Sequence, residues 1–339
     1  TPSTSPFRIP ATDTITHANA GSYVLDGSAN GFVSDTVTVD YDLLELFKAD
    51  VVYFGTVEGD WGNWGGHLYR WVTNGEHPEF WDAPAPMIDA TRPVTAAPTI
   101  GYDGFFYWVY FGTGRFFVVQ DKSDNAQEYF FGLKEPVDPN KDFLDSNTDE
   151  FTWATIENNP TTSKPTVGND AGSRTLLPVG DILVEKASNP AFATLNCDAG
   201  DGGCLPTNLK SETVKTFSAL QDYIVGTCVK DTGCSGTDGW VMELEDLGER
   251  NLGQAALLGG LTTFTTYKPF EDICKPEGNA FLYGVYFQTG TAFYEPVFTS
   301  SANGGTTTTD AGATVVTSRL SIGRGLAMTP NLHVGRQKG

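Results

Sequence analysis

The chain carries a repeated pattern of short apolar segments separated by turns. The central segment of each repeat is rich in aromatic and β-branched residues and ends in Gly-Thr: ADVVYFGT at 49–56 and FYWVYFGTG at 106–114. The pentapeptide VYFGT occurs at both 52–56 and 109–113, and the recurrence of so uncommon a sequence indicates an internal repeat. Short apolar runs of this composition, bounded by glycine, are typical of β-strands.

Strand-like segments also stand before and after each central one. In the first copy they are VTVDYD at 37–42 and GGHLYRWVTNG at 65–75, and in the second APTIGYD at 97–103 and QEYFFGLKE at 127–135. Each copy therefore predicts a small sheet with an apolar face that it cannot bury alone. Such faces are buried when sheets stack against one another.

Weaker copies continue along the second half of the chain. They are DYIVGTC (222–228), GWVMELEDLG (239–248), GGLTTFTTY (259–267), NAFLYGVYFQTG (279–290) and a final strand pair in RLSIGRGLAMTPNLHVG (319–335). Radial stacking of small sheets leaves only short edges and produces a β-propeller. We therefore predict an all-β fold, a β-propeller or the C-terminal part of one, with about four to five blades in this chain and long loop insertions.

Segments without strand periodicity define the organisation of the chain. Residues 1–22 are rich in Thr, Pro, Ser and Ala and predict an extended leader, followed by a propeller domain over 23–339. Long polar insertions at 136–172, 188–215 and 300–315 interrupt that domain. We expect them to be surface loops, where a propeller usually carries its specificity.

Composition supports the strand prediction and excludes some functions. The 339 residues include 38 Gly, 19 Pro and 22 Phe, and charged residues make up only 19%; glycine, proline and β-branched residues disfavour helices. A net charge of −21 argues against nucleic acid as a partner, because that affinity depends on Lys and Arg. The longest apolar runs are far shorter than the roughly 18 residues that span a bilayer, so no transmembrane segment is predicted.

The five cysteines favour an exported protein. Cys197 and Cys204 bracket the loop CDAGDGGC, Cys228 and Cys234 bracket CVKDTGC, and Cys274 stands alone. We predict two short-loop disulfides and one remaining thiol, although other pairings stay open. A metal site is the alternative, but neither spacing matches a zinc-ribbon C-x-x-C pair and no histidine is near a cysteine in sequence.

Several tracts resemble one known family. DGWVMELEDLGERN (238–251) and GGLTTFTTYKPFEDICKPEGNAFLYGVYFQTG (259–290) resemble the C-terminal propeller of the PilY-type proteins, which assemble type IV pili or act as tip adhesins. The pattern is a Gly-Trp strand ending in G-E-R, a T-T-x-x-P stretch, one Cys, and L-Y-x-x-x-x-x-T-G. The tracts at 49–71 and 109–135 look like the same family's Y-F-G-T-G blades.

This resemblance implies a non-enzymatic protein, exported through the periplasm to the cell surface. Its implied partners are minor pilins or the pilus tip complex, and a host or mineral surface. The family has further upstream blades that are not found here, so we expect the N-terminal fragment of the same precursor, or a neighbouring subunit, to complete the ring. Two alternatives stay open: a structural or coat subunit of an extracellular filament, and a quinoprotein-like propeller enzyme.

The family also binds Ca²⁺ in a loop of the form D-x-[DN]-x-D-G-x-x-D, in which alternate oxygen ligands and a glycine turn surround the ion. The nearest match has ligand candidates at Asp26, Ser28, Asn30 and Asp35. It has one residue too many before the last Asp, and a pair of D-G and N-G turns is the alternative. A second candidate, after the second Y-F-G-T-G strand, consists of Asp121, Ser123, Asp124 and Asn125, with a solvated hairpin loop as its alternative.

Tryptophans in a glycine-rich loop are candidates for a binding surface. Trp61 and Trp64 lie in GDWGNWGG, which no predicted strand includes. By contrast, the aromatic run at 105–111 alternates along a predicted strand, so we expect it to pack in the core. No G-x-S-x-G or H-E-x-x-H motif is present, and we predict no catalytic residues.

Overall fold

A computed structural model describes residues 31–40, 49–60, 62–73, 81, 83–135, 158–159, 164–165, 176–197, 214–229, 233–272, 277–298 and 304–330. The first strands along the chain are β1 (Gly31–Val39), β2 (Val51–Asp60), β3 (Asn63–Gly65), β4 (His67–Val72), β5 (Ala85–Asp89), β6 (Thr99–Tyr102), β7 (Tyr107–Gly112), β8 (Tyr129–Lys134), β9 (Asn158–Asn159), β10 (Lys164–Pro165), β11 (Leu177–Pro178) and β12 (Ile182–Val184). The later strands are β13 (Leu195–Cys197), β14 (Cys228–Val229), β15 (Gly233–Cys234), β16 (Gly239–Glu243), β17 (Arg250–Asn251), β18 (Ala256–Leu258), β19 (Leu261–Pro269), β20 (Gly278–Tyr286), β21 (Thr306–Thr308), β22 (Thr314–Val316) and β23 (Arg319–Arg324). A 3-10 helix spans Val119–Ser123 and an α-helix, α1, spans Phe217–Val225.

Three larger sheets dominate the part of the chain that the structure describes. The first has the order β1-β2-β4-β5, with β3 added to β2. The second has the order β11-β16-β8-β7-β6 and is antiparallel except for the β11–β16 pair. The third has the order β17-β19-β20-β23, with β18 added to β19, and the remaining strands form two-stranded ribbons.

The second sheet lies between the other two and is buried on both faces. Trp108 and Tyr110 of β7 pack in one cluster with Phe264 of the third sheet. Val109, on the opposite face of β7, packs in another cluster with Tyr53 of the first sheet. Because alternate side chains of a strand point to opposite faces, one strand serves two cores. The prediction that the aromatic run at 105–111 packs in the core is confirmed, and each buried ring contributes about 1.5–3 kcal/mol.

Two glycines make room for the buried Trp240 of β16. A Cβ atom at Gly132 of β8 would lie 2.3 Å from the indole, and one at Gly290, in the turn after β20, would lie 2.4 Å from it. Gly290 also has a φ of +68°, which glycine adopts without strain. Gly290 therefore has a packing role in the turn after β20.

One predicted strand is wrong, because residues 222–228 lie mainly in α1. Thr216 caps this helix by accepting the N–H three residues further along the chain, a common N-cap interaction. Phe217, Leu220 and Ile224 are buried on one side of it, and their spacing is that of a helix face. The short apolar run with its following glycine predicts a strand, but the buried positions have the spacing of a helix.

The all-β class is confirmed in the described residues, whereas the propeller and its number of blades stay a prediction. These residues contain three larger sheets, none of which closes on itself. The strand pair predicted at 319–335 is reduced to β23, since 325–330 are not in a strand and 331–335 lie outside the described residues. The predicted leader at 1–22 also lies outside them. No helix in the described part of the chain has the length and apolar character to cross a membrane.

Candidate functional site

Trp64, one of the two tryptophans predicted to form a binding surface, connects the first and second sheets. It lies in β3, opposite Gly59 of β2, and its partner in the prediction, Trp61, lies outside the described residues. The Arg115 guanidinium, in the loop after β7, stacks 4.0 Å from the centre of the Trp64 ring. The indole N–H of Trp64 is buried and has no hydrogen-bond partner within the described parts of the chain.

Exposed apolar side chains lie next to this stacked pair, since the Arg115 guanidinium is also 5.5 Å from the centre of the Phe117 ring. Phe117, Val118 and Val119 are 55%, 42% and 59% exposed, and they lie two to four residues after Arg115 in sequence. Phe32 of β1 is 50% exposed, and its ring centre lies 5.5 Å from that of Phe117. We name these residues the Trp64–Phe117 surface: Phe32, Trp64, Phe117, Val118 and Val119. Contiguous exposed apolar patches mark interaction sites on soluble proteins.

Buried charges beneath the surface hold its loop in place. The carboxylate of Asp121 accepts the backbone N–H groups of Phe117 and Val118 at 2.7 and 3.0 Å and pairs with the Arg115 guanidinium. Arg250 of β17 donates to the carbonyl oxygens of Arg115 and Asp121 at 2.8 and 2.9 Å. Hydrogen bonds to charged groups are the stronger class in proteins, so the loop is fixed from both ends.

A second set of buried charges continues this network. Arg92 pairs with Asp124 at 2.8 Å and with Glu128 at 2.7 Å. Burial raises the pKa of Asp124, but the charge and hydrogen bond of Arg92 outweigh it and hold that pKa below its usual value. Burial raises the pKa of Glu128 above its usual value despite Arg92. Burial also lowers the pKa of Arg250, and the neighbouring carboxylates oppose that shift only in part.

The predicted calcium ligands at 121–125 therefore have other partners in the folded chain. Ser123 donates to the carbonyl oxygen of Gln120 at 2.8 Å, and Asn125 donates to Glu271 at 3.2 Å. Asp121 and Asp124 bind arginines and backbone N–H groups. A calcium ion needs six to eight free oxygen ligands, so this donor set does not fit one, and the described residues contain no cluster of acidic, His or Cys side chains arranged for a metal.

The other calcium candidate is described only in part. Asp26, Ser28 and Asn30 lie outside the described residues. Asp35 is exposed in β1, next to Ser34, at an irregularity in the pairing of β1 with β2. The Ser34 hydroxyl bonds to the backbone N–H and carbonyl of Gly55. An ion at this loop stays a prediction.

The disulfide predictions are also described only through the backbone. Cys228 of β14 and Cys234 of β15 are direct partners in an antiparallel pair, a geometry with Cα atoms about 4.5–5.5 Å apart and within the range that disulfides span. Cys197 ends β13, opposite Ile182, whereas Cys204 and Cys274 lie outside the described residues. Both disulfides stay predictions.

Most of the Trp64–Phe117 surface was missed by the sequence analysis. Residues 116–119 read Phe-Phe-Val-Val, a run that resembles a buried strand. The signal was its position between the repeat's Gly-Thr-Gly turn and the acidic loop, where no strand partner was predicted. The sequence analysis assigned Trp64 to a binding surface and Asp121 to a separate ion site. In the structure Arg115 contacts both residues.

Comparisons with known proteins support the fold. No model of a known protein family matches the chain, and no curated protein matches it in sequence. The structure is similar to the crystal structure of the Pseudomonas aeruginosa PilY1 C-terminal domain, with a TM-score of 0.51 and 14% identity over 88% of this chain. This chain spans 57% of that structure. At this identity the likeness concerns the fold alone, and it agrees with the all-β fold that the PilY-type resemblance implied.

Proposed function

We propose that this chain is a non-enzymatic, pilus-associated protein of the cell surface that acts by binding, and that the Trp64–Phe117 surface is its contact region. The observation that carries the proposal is the exposure of Phe117, Val118 and Val119 on a loop fixed by buried charges, beside the exposed Phe32 of β1. Exposed apolar groups on a rigid frame lose little conformational entropy when a partner covers them. Aromatic and Arg side chains are also the commonest anchors of protein interfaces.

This surface is suited to a protein partner with an apolar patch and not to a highly charged partner. Arg115 stacks on Trp64, and Asp121 balances its charge. The partner should therefore present an apolar patch. The PilY-type resemblance and the fold likeness favour a minor pilin or another component of the pilus tip, reached after export through the periplasm. A host or mineral surface is an outcome that the experiment below distinguishes.

We further propose that the three sheets are blades of a propeller that another segment completes. The second sheet is buried on both faces, whereas the third carries the exposed Leu258 on β18 and Ile322 on β23. A blade from the N-terminal part of the same precursor, or from a neighbouring subunit, would cover such residues. Intact-mass analysis of native material should find a second polypeptide bound to this one, and a stable monomer would contradict this part of the proposal.

Cosedimentation with pili tests the proposed binding function. The full chain is mixed with type IV pili sheared from the cells that produce it, and the pelleted fraction is titrated. Replacing Phe117 and Val119 together (Phe117→Ser, Val119→Ser) should weaken binding about tenfold or more, since central apolar contacts contribute about 1–2 kcal/mol each. The matched control is Phe192→Ser, which changes an aromatic residue that is 77% exposed elsewhere and should bind like the wild type.

The amount bound at saturation separates the remaining functions. A few copies for each filament support a role at the tip, whereas binding along the whole length supports the coat-subunit alternative. Equal binding by the double variant and the wild type would contradict the assignment of the surface. If the wild-type chain does not pellet with pili but adsorbs to host cells or mineral particles, its partner is an external surface and not the pilus.

A further inference from the structure

A cavity of about 340 Å³ lies beside α1 and the end of β20. Its walls include Phe217 and Gln221 of α1, Gly260 before β19, Tyr286 at the end of β20, and Phe293 and Tyr294 after it. It shares no residue with the Trp64–Phe117 surface. A volume of this size is at the lower end of the range for small-molecule sites, which suits a ligand with a single ring.

Four aromatic rings of this cavity pack directly against one another. The centre of the Phe217 ring lies 5.3 Å from Tyr286, 5.8 Å from Phe293 and 5.4 Å from Tyr294. The Tyr286 and Phe293 rings are stacked, with centres 5.4 Å apart. These are contact distances, so no ligand fits between the rings. They form a wall against which a flat ligand can stack, not a cage that encloses a small cation.

An amide pair beside the rings has a fixed orientation. Gln288 donates its side-chain N–H to the Asp103 carboxylate at 2.9 Å. The same carboxylate accepts hydrogen bonds from the Trp108 indole and from backbone N–H groups, and a carboxylate has no hydrogen to donate. The carbonyl oxygen of Gln288 must therefore face Gln221, which donates to it at 2.7 Å. The second N–H of Gln221 donates to the Tyr286 hydroxyl at 3.4 Å, which leaves the Gln221 side-chain oxygen to accept a hydrogen bond from a ligand.

The cavity has no charged side chain in its lining. Burial raises the pKa of Tyr286, so its hydroxyl group stays neutral at physiological pH. The net charge of −21 on the whole chain further disfavours an anionic ligand. The site therefore offers a flat aromatic wall, a neutral hydroxyl that is held by Gln221 and Gln288, and an amide oxygen that can accept a hydrogen bond.

We propose that this cavity binds a neutral sugar residue, a hexopyranose at the end of a glycan. One apolar C–H face of the sugar would stack on the aromatic wall near Tyr294, and one of its hydroxyl groups would donate a hydrogen bond to the side-chain oxygen of Gln221. Stacking on aromatic groups together with a few oriented polar contacts is how small-molecule sites combine affinity with selectivity. This inference is independent of the proposed pilus contact, because the two sites use different residues.

Saturation-transfer NMR on the full chain tests the proposal directly. The probes are the methyl glycosides of glucose, galactose, mannose and N-acetylglucosamine, with N-acetylneuraminic acid as an anionic comparator and choline as a cationic one. At least one neutral glycoside should bind saturably, with the strongest transfer to ring protons on one face. Binding of none of them, or equal binding of choline or N-acetylneuraminic acid, would overturn the proposal.

Variants place the binding in the cavity. Tyr294→Ala removes part of the aromatic wall and Gln221→Ala removes the amide, and each should weaken binding about tenfold, which equals about 1.4 kcal/mol. If Tyr294→Ala unfolds the chain by circular dichroism, Gln221→Ala decides the question, because alanine favours helices. Phe192→Ala serves as the exposed control. Wild-type sugar affinity in a folded Gln221→Ala variant would refute the site, whereas pilus binding should be unchanged in all three variants.

Discussion

The carboxylate of Asp121 is the strongest single support of the loop that carries the Trp64–Phe117 surface, and Asp121→Asn tests that role. Its side chain is 4% exposed and accepts three hydrogen bonds from charged or backbone donors. The neutral amide keeps one acceptor oxygen but loses its charge against Arg115, and its NH₂ group faces either the Arg115 guanidinium or the two backbone N–H groups, which share the other carboxylate oxygen in the wild type. Hydrogen bonds with a charged partner contribute about 1.5–3 kcal/mol each, so the loop should lose on the order of 3 kcal/mol.

Hydrogen exchange measures this loss locally. A change of about 3 kcal/mol corresponds to roughly a hundredfold increase in loop opening, so amide protection at Phe117 and Val118 should fall by about that factor. Protection of Val109, in the buried β7, should stay the same, because the sheets keep their own cores. Asp310→Asn, at an exposed turn residue, is the matched control. Unchanged protection at Phe117, or an equal loss at Val109, would refute the idea that Asp121 holds the loop separately from the sheets.

Three further predictions follow from the contacts described above. Gly132→Ala places a Cβ atom 2.3 Å from a buried indole and should destabilise the chain by about 1–3 kcal/mol in urea unfolding, whereas Gly253→Ala, with no atom closer than 3.7 Å, should change stability by less than about 0.5 kcal/mol. Burial lowers the pKa of His67, but its hydrogen bond to Glu58 outweighs this and raises that pKa above 6.5. Burial likewise raises the pKa of Glu58, but the bond to the histidine lowers it below 4.5. Their mutual stabilisation should therefore be greatest between pH 4.5 and 6.5 and decline as the pH rises through the folded-state pKa of the histidine; a stability difference between wild type and His67→Gln that grows toward pH 8 would contradict this. Finally, calorimetric titration with Ca²⁺ should show saturable heat that Asp26→Asn abolishes if the predicted loop at 26–35 holds the ion, and heat unchanged in this variant would reject that loop.

The internal repeat made the strands predictable from the sequence. The elements against which they pack could not be predicted in the same way. The two segments that contain VYFGT are nearly continuous apolar runs, as is typical of strands buried on both faces, and β2 and β7 are such strands. The α-helix at Phe217–Val225 was missed because a run of nine residues contains only about two and a half helical turns of periodicity. Its stability comes from the Thr216 cap and from packing, and packing is a tertiary effect that local sequence does not report.

The candidate site was only partly predictable for a similar reason. Trp64 stood out because glycines surround it, and Asp121 because it lies in an acidic loop. Their connection through Arg115 depends on bringing together two segments about 50 residues apart in sequence, a distance over which no local pattern operates. The same connection changes the chemistry expected of Asp121 and Asp124, whose carboxylates look like cation ligands in the sequence and serve as arginine partners in the fold.

Photo-crosslinking from the Trp64–Phe117 surface in living cells tests the central claim most directly. A photoreactive phenylalanine analogue is incorporated in place of Phe117, or of Phe192 as the control, and crosslinked products are identified by mass spectrometry. The account predicts that position 117 forms a specific adduct with a minor pilin or another pilus tip component, and that position 192 does not. The same adducts from both positions, or none from position 117 in cells that carry pili, would contradict it.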